Sequence, residues 1–470
     1  MKSIARIYTA FPSEGLSGSS QTYSLHHPNE TVMTNGQILE ELNRRCPDVE
    51  FVGSAEVETA DYTRANVIAQ RKGLDGILYF GGLPLDLTEL GLPGLAVYPL
   101  WGPWQDGMRP LTHRRILTTT LAVIPDRDRA VFTRRLDTLA QRIGLLRTTA
   151  RLKGFRILCV TDRPALGEYE PMTYQVAEEG REAYENRYLS NLAELGAEIV
   201  VRPQRELMAG VEAVADREAR KVADGWIAEA KGVKGTNESE IRRSAKLYLS
   251  MRSMIDAYAA DAITTEGYGV FMSYPGGPIP SQGLPSSQFC TDGVVATAET
   301  LLDSLLTQQV GLWLTGSTGF NGDYIVDAEN SMAYIGHCEC PLNPRGGSEK
   351  TPYVIRNLPQ WPLNEQEKGG ACVQVNLPTD EPVTVAKFSV HDRKVAVFSG
   401  RAVSGHDLFP GWEDILCRTK LAISADAAKL FANLDWVTFG NHRVVFYGDH
   451  KQQFRDFATL LGYEFVEKDK

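Results

Sequence analysis

The densest run of chemically capable side chains lies between Glu266 and Arg345. It holds Cys290-Thr-Asp292, then Thr315-Gly-Ser-Thr-Gly-Phe-Asn-Gly-Asp-Tyr324, then Ile335-Gly-His-Cys-Glu-Cys340. If 334–340 is a strand, its period of two puts His337 and Glu339 on one face and Cys338 and Cys340 on the other. An imidazole beside a carboxylate can ligate a metal or exchange protons. The same pattern also suits a hydrogen-bonded histidine at a sheet edge with two small buried cysteines. His442 follows Gly440-Asn441 and opens an apolar run, a place that suits a structural histidine as well as a ligand. One zinc ion could not easily take His337, Cys338, Cys340 and His442 together, because alternate strand residues project to opposite faces. Glu266 stands where an apolar run meets a long Gly/Pro loop, as an acid/base or as a solvated carboxylate. Trp101 and Trp104 flank a Gly-Pro turn, and their indole faces suit the C–H face of a sugar or a subunit interface. Gly81-Gly82 after an apolar run could cradle a phosphate or make a tight turn. No GxSxG elbow, Walker loop, HExxH, paired CxxC or well-placed GxGxxG is found.

These residues must be positioned by short apolar runs that alternate with helical patterns. Runs at 4–10, 49–52, 76–80 and 95–100 read as strands, with helices at 37–45 and 62–72 between them. A second series starts with a buried-strand pattern at 155–160. A helix over 184–195 stopped by Gly196 follows, then a strand at 197–201, helices over 206–231 and 238–260, and a strand at 262–265. Asn237 ahead of Glu240 is an N-cap signature for the second of these helices. A helix over 294–308 and a strand at 312–314 complete this series. This rhythm implies parallel βαβ units, whose ligands gather beyond the strand carboxyl ends. After about residue 340, short strands with turn punctuation (372–375, 383–390, 394–398) imply a small antiparallel barrel. The chain then closes with 443–447, a helix over 452–461 and 463–466. The expected fold is thus α/β, with two doubly wound Rossmann-like domains (1–150 and 151–292) and a C-terminal domain (293–470) with a small antiparallel β-barrel.

Bulk properties narrow the function classes. The 470 residues are 43% hydrophobic, enough for packed cores, and the formal net charge is -10. Scattered basic residues leave no nucleic-acid footprint, and no apolar run is long enough to cross a bilayer. The seven cysteines are odd in number and widely spread, which favours a reducing compartment over a disulfide framework. The expected setting is the cytoplasm, with a small molecule as partner.

The segments KGGACVQVNLPTDEPVTVAKFS, ILCRTKLAIS and FGNHRVVFYGDHKQQFRDFATLLGYEFVE resemble the last domain of L-fucose isomerase-like proteins. PIPSQGLPSSQFCTDG resembles the loop of that group that leads into a Cys-Glu-Gly-Asp signature, and TGFNGDYIVDAENSMAYIGHCECP resembles the matching L-arabinose isomerase segment. The likeness covers about 260–470. It implies a homotrimer or homohexamer with the active site between subunits, and aldose–ketose isomerisation of a deoxyhexose or pentose through an enediol on Mn²⁺ or another divalent metal. By the same resemblance His337 and His442 are metal ligands, while the family's carboxylate ligands fall on Thr291 and on Gly322 (or near Thr315). Either Asp292 or Asp323, each one residue away, or Glu339 is expected to substitute as ligand or base, with Glu266 as a further acid/base, or the metal is gone. Thr291, Trp101 and Trp104 are expected to meet the sugar. Two alternatives stay open: a metal-free sugar lyase, hydrolase or epimerase on the same scaffold, and a catalytically inactive sugar-binding protein.

Overall fold

The computed structural model describes residues 4–12, 29, 32–81, 87–99, 115–121, 129–163, 166–266, 273–274, 277–278, 280–358, 370–404 and 417–470. The fold is mixed α/β, and the chain divides into two compact units, Met1–Gly154 with Arg455–Glu464 and Phe155–Phe454 with Phe465–Lys470.

In the first unit, strands Ala5–Pro12, Val49–Val52, Gly76–Tyr79, Gly94–Pro99 and Ile116–Leu121 form a parallel sheet in the spatial order second, first, third, fourth, fifth. Gly76–Tyr79 is buried along its length, which is why it reads as a continuous apolar run without alternation. The strand Ile116–Leu121 and the long helix Arg129–Leu152 escaped the sequence reading. The helix buries Phe132, Leu136, Leu139 and Ile143 at helical spacing, but arginines interrupt the apolar signal between them.

The second unit begins with another parallel sheet, ordered Ala296–Thr297, Ala262–Thr265, Arg156–Val160, Glu198–Arg202. Successive strands are added on opposite sides of Arg156–Val160, so a crevice opens between its carboxyl end and that of Ala262–Thr265. Local signals set the flanking helices well. Arg181–Leu195 ends on Gly196, whose φ of 83° is the left-handed C-cap that glycine adopts without strain. The Asn237 side chain accepts from the Glu240 amide at 3.1 Å and starts Glu238–Ala257. The single helix expected over 206–231 is two, Gln204–Ala213 and Asp216–Glu229.

One correction matters for the site. In place of a helix over 294–308 and a strand at 312–314, the chain makes the short strand Ala296–Thr297, a tight turn, and the helix Leu302–Thr315. That helix is buried from Leu302 through Gly311 on every side, so no amphipathic stripe marks where it begins.

Six antiparallel strands follow, Phe320–Asp327, Met332–His337, Pro382–Ser389, Lys394–Ala402, Thr419–Ser424 and His442–Tyr447. Each pairs with two of the others, so the hydrogen-bonded circuit closes on itself, and Glu464–Glu467 lies beside Lys394–Ala402. Phe320, Tyr324, Ile335, Val385, Phe398 and Val445 share one buried apolar cluster. A small mixed sheet of Cys372–Val375, Tyr353–Arg356 and Val233–Lys234 stands apart from the circuit. Among the described residues, no helix is long and apolar enough to cross a membrane.

Candidate metal centre

His442 is the first residue of its strand and lies directly opposite Asp323 in the antiparallel register. The turn before it is held by Arg443, whose buried guanidinium donates to the carbonyls of Phe439 (3.0 Å), Gly440 (2.8 Å) and His442 itself (2.7 Å). His337 is the last residue of Met332–His337. The two imidazoles meet edge to face with ring centroids 5.3 Å apart, and both are buried.

A third group joins them. Glu299, in the turn between Ala296–Thr297 and Leu302–Thr315, brings a carboxylate oxygen to 3.8 Å from His442 Nε2. One donor atom from each of Glu299, His337 and His442 lies within 4.8 Å of the others. Asp323 Oδ1 stands 3.6 Å from His442 Nε2 and accepts from the Asn441 amide at 2.8 Å. Glu339 Oε2 lies 3.9 Å from His337 Nδ1 and accepts from the Ala298 amide at 3.3 Å.

The electrostatics suit a cation. Burial, reinforced by His442, pushes the His337 pKa down to about 3, so its ring is neutral at ordinary pH and its lone pair is available to a ligand. Burial and then the charge of Glu299 hold the Glu339 carboxyl well above the usual range, which favours its protonated form. Two imidazoles and a carboxylate are the nitrogen and oxygen donors that a borderline or hard divalent ion takes. The residues present therefore fit such an ion, with Glu299, His337 and His442 as its holders.

Glu299 pays a conformational cost for its place. It and Thr300 have φ of 61° and 57°, a left-handed pair without glycine, disfavoured by about 1–2 kcal/mol each. The Thr300 amide donates to Thr265 O at 2.8 Å, which ties the turn to the end of the neighbouring strand.

The residues singled out from sequence are distributed as follows. Asp323, Glu339, His337 and His442 come together around Glu299. Glu266 stands at the carboxyl end of Ala262–Thr265 and accepts from the Thr161 hydroxyl, the Asp162 amide and the Gln204 amide. Asp292 is exposed beyond the helix Gly283–Thr291 and accepts from Gln288 Nε2. The Thr291 hydroxyl donates to Ser287 O at 2.6 Å and accepts from the Leu342 amide at 2.8 Å, which fastens the helix end to the chain beyond Cys340. Gly322 has no room for a side chain, since a Cβ there would lie 2.7 Å from the Gly336 carbonyl oxygen. Trp101, Trp104 and Gly82 lie outside the described residues.

The strand expected over 334–340 stops at His337 and the chain bends. Cys338 consequently packs with Cys372 and Cys417, while the Cys340 amide donates to Ser287 Oγ at 3.1 Å. Glu299 was the residue missed. Its only sequence signal is a carboxylate in the apolar stretch 294–308, which reads as a helix face. No family model matches the chain, and no curated protein matches it.

Proposed function

We propose that the chain is a metal-dependent aldose–ketose isomerase of the L-fucose/L-arabinose isomerase type, acting on a deoxyhexose or pentose. The observation that carries this reading is the convergence of Glu299, His337 and His442 from three separate segments. Mn²⁺ or a similar divalent ion held there would polarise the sugar carbonyl and the neighbouring hydroxyl. The chain's own residues handle the protons. In the conversion a proton leaves C2 and one arrives at C1, while a hydroxyl proton passes from O2 to O1. Asp323, with its side chain 40% exposed beside His442 and oriented by Asn441, is placed to hold the carbon-bound proton. Glu339, whose carboxyl is shifted toward its protonated form by burial and then by Glu299, lies beside His337 and can serve the oxygen side. Glu266, the further acid/base of this reading, has one oxygen held by Thr161, Asp162 and Gln204. The closed circuit of six strands supports the small barrel of this reading, which further proposes a three-part division near 150 and 292 and assembly as a trimer or hexamer.

The upward shift of the Glu339 carboxyl also favours one second reading, a metal-free lyase or epimerase with Glu339 as acid and Asp323 as base. One experiment separates them. Metal-free protein is titrated with MnCl₂ by calorimetry, then incubated with C2-deuterated aldoses in water. Mn²⁺-dependent washout of deuterium with appearance of the ketose is expected. Washout or bond cleavage that survives chelation would establish the second reading, and neither activity with any reducing sugar would defeat both.

A further inference from the structure

The turn that delivers Glu299 is built from residue types that avoid its conformation, so something outside the turn must hold it. Glu299 and Thr300 are consecutive left-handed residues. A turn needed only to reverse the chain would be served by glycine at no steric cost. Retained strain at a side chain that faces two imidazoles points to a functional constraint.

The external hold is Arg163. Its Nη1 donates to the Glu299 carbonyl at 2.9 Å and to the Thr300 hydroxyl at 2.5 Å. Its Nε lies 3.7 Å from Glu266 Oε1, with side chains 15% and 9% exposed. The other oxygen of Glu266 is fixed by Thr161 Oγ1 (3.0 Å), the Asp162 amide (2.7 Å) and Gln204 Nε2 (3.0 Å). Glu266 and Arg163 thus sit at the crevice between the carboxyl ends of Arg156–Val160 and Ala262–Thr265, and reach the turn that follows the next strand.

We propose that Arg163 is a positioning residue for the metal centre: it clamps the Glu299–Thr300 turn so that the Glu299 carboxylate meets His337 and His442, and Glu266 anchors it. This rests on the metal reading above. The guanidinium suits the task because its planar fork serves the turn with one nitrogen and the carboxylate with another, whereas an ammonium is a point donor. Glu266 has a second effect. A buried cation left unpaired near the site would repel a divalent ion, and the carboxylate offsets that charge.

The test is calorimetric titration of metal-free wild type, Arg163→Gln, Arg163→Lys, Thr300→Ala and Glu299→Gln with MnCl₂, together with the melting temperature of each without metal. Loss of an outer partner of a ligand weakens metal binding by about 10- to 100-fold, and a loss in that range is expected for Arg163→Gln. Arg163→Lys and Thr300→Ala, which each keep part of the clamp, are expected to fall between it and wild type. A purely structural role would lower the metal-free melting temperature of these two milder variants and leave their Mn²⁺ affinity at the wild-type value, and that result overturns the proposal. So does wild-type affinity in a folded Arg163→Gln protein while Glu299→Gln is impaired. If wild type itself takes up no Mn²⁺, the metal reading fails, and the clamp's function with it.

Discussion

At Glu299 the backbone and the side chain can be tested apart. Glu299→Gln keeps the length, the turn and the carbonyl that Arg163 grips, and removes only the anionic oxygen 3.8 Å from His442 Nε2. Mn²⁺ affinity is expected to fall at least about ten-fold, as a hard ion loses its one charged donor among the three holders, with the metal-free melting temperature unchanged. Equal affinity in calorimetry would remove Glu299 from the site. Much of this cluster was legible in the sequence, since His337, Asp323 and Glu339 sit within one stretch with donors at close spacing. Glu299 was not, because what exposes it is a backbone conformation imposed by partners far along the chain. A second residue prediction concerns Asp303, buried beside Glu168 and Lys387 and accepting from Tyr188 OH at 2.8 Å. Burial, and then the charge of Glu168, raise its pKa to about 8. A raised carboxyl pKa means that the folded state holds the proton more tightly than the unfolded chain. The stability it contributes is full below the ordinary carboxyl range near pH 4 and is lost as pH rises through about 8. Asp303→Asn should therefore flatten the fall in urea midpoint between pH 5 and 8.5. An unchanged slope would assign that fall to other groups.

Elements were legible where their signals are local. Asn237 and Gly196 punctuate their helices through their own backbone chemistry, and both stand where the sequence placed them. Leu302–Thr315 was misplaced because tertiary burial erases the periodicity on which a helix reading depends. The end of Met332–His337 was overrun because nothing in His-Cys-Glu-Cys breaks a strand locally; the chain bends to satisfy contacts with other segments. Two glycines test the packing. Gly322→Ala would drive a Cβ to 2.7 Å from the Gly336 carbonyl oxygen of the paired strand, at a cost of about 2–3 kcal/mol. Gly316 ends Leu302–Thr315 with φ of 81° and open space around it, so Gly316→Ala should cost about 1 kcal/mol from backbone strain alone. Urea unfolding that ranks them in the opposite order would show that the strand pair yields more easily than the helix end.

Across the whole molecule, the seven cysteines are all free thiols, and Cys417 alone is not buried. Titration with a thiol reagent should find seven reactive groups in the unreduced, denatured protein; in the folded protein Cys417 should react first but slowly, because its contact with Cys338, and then burial, hold its thiol well above the usual range. Fewer than seven after denaturation would mean that a disulfide had formed. Assembly as a trimer or hexamer is checked by sedimentation at micromolar concentration, where a monomer would contradict it.

The strand that closes the circuit also carries the last histidine of the candidate metal centre. His442–Tyr447 hydrogen-bonds to Phe320–Asp327 on one side and to Pro382–Ser389 on the other. During synthesis, a chain that has not yet reached this strand has Glu299 and His337 but not His442, and two unpaired strand edges as well. Such edges are the surfaces through which nascent chains associate wrongly. Sealing the sheet and completing the donor set are thus one event in time. Metal available at that moment would bind only chains that have finished the circuit, and by mass action it would draw them away from the open, sticky population.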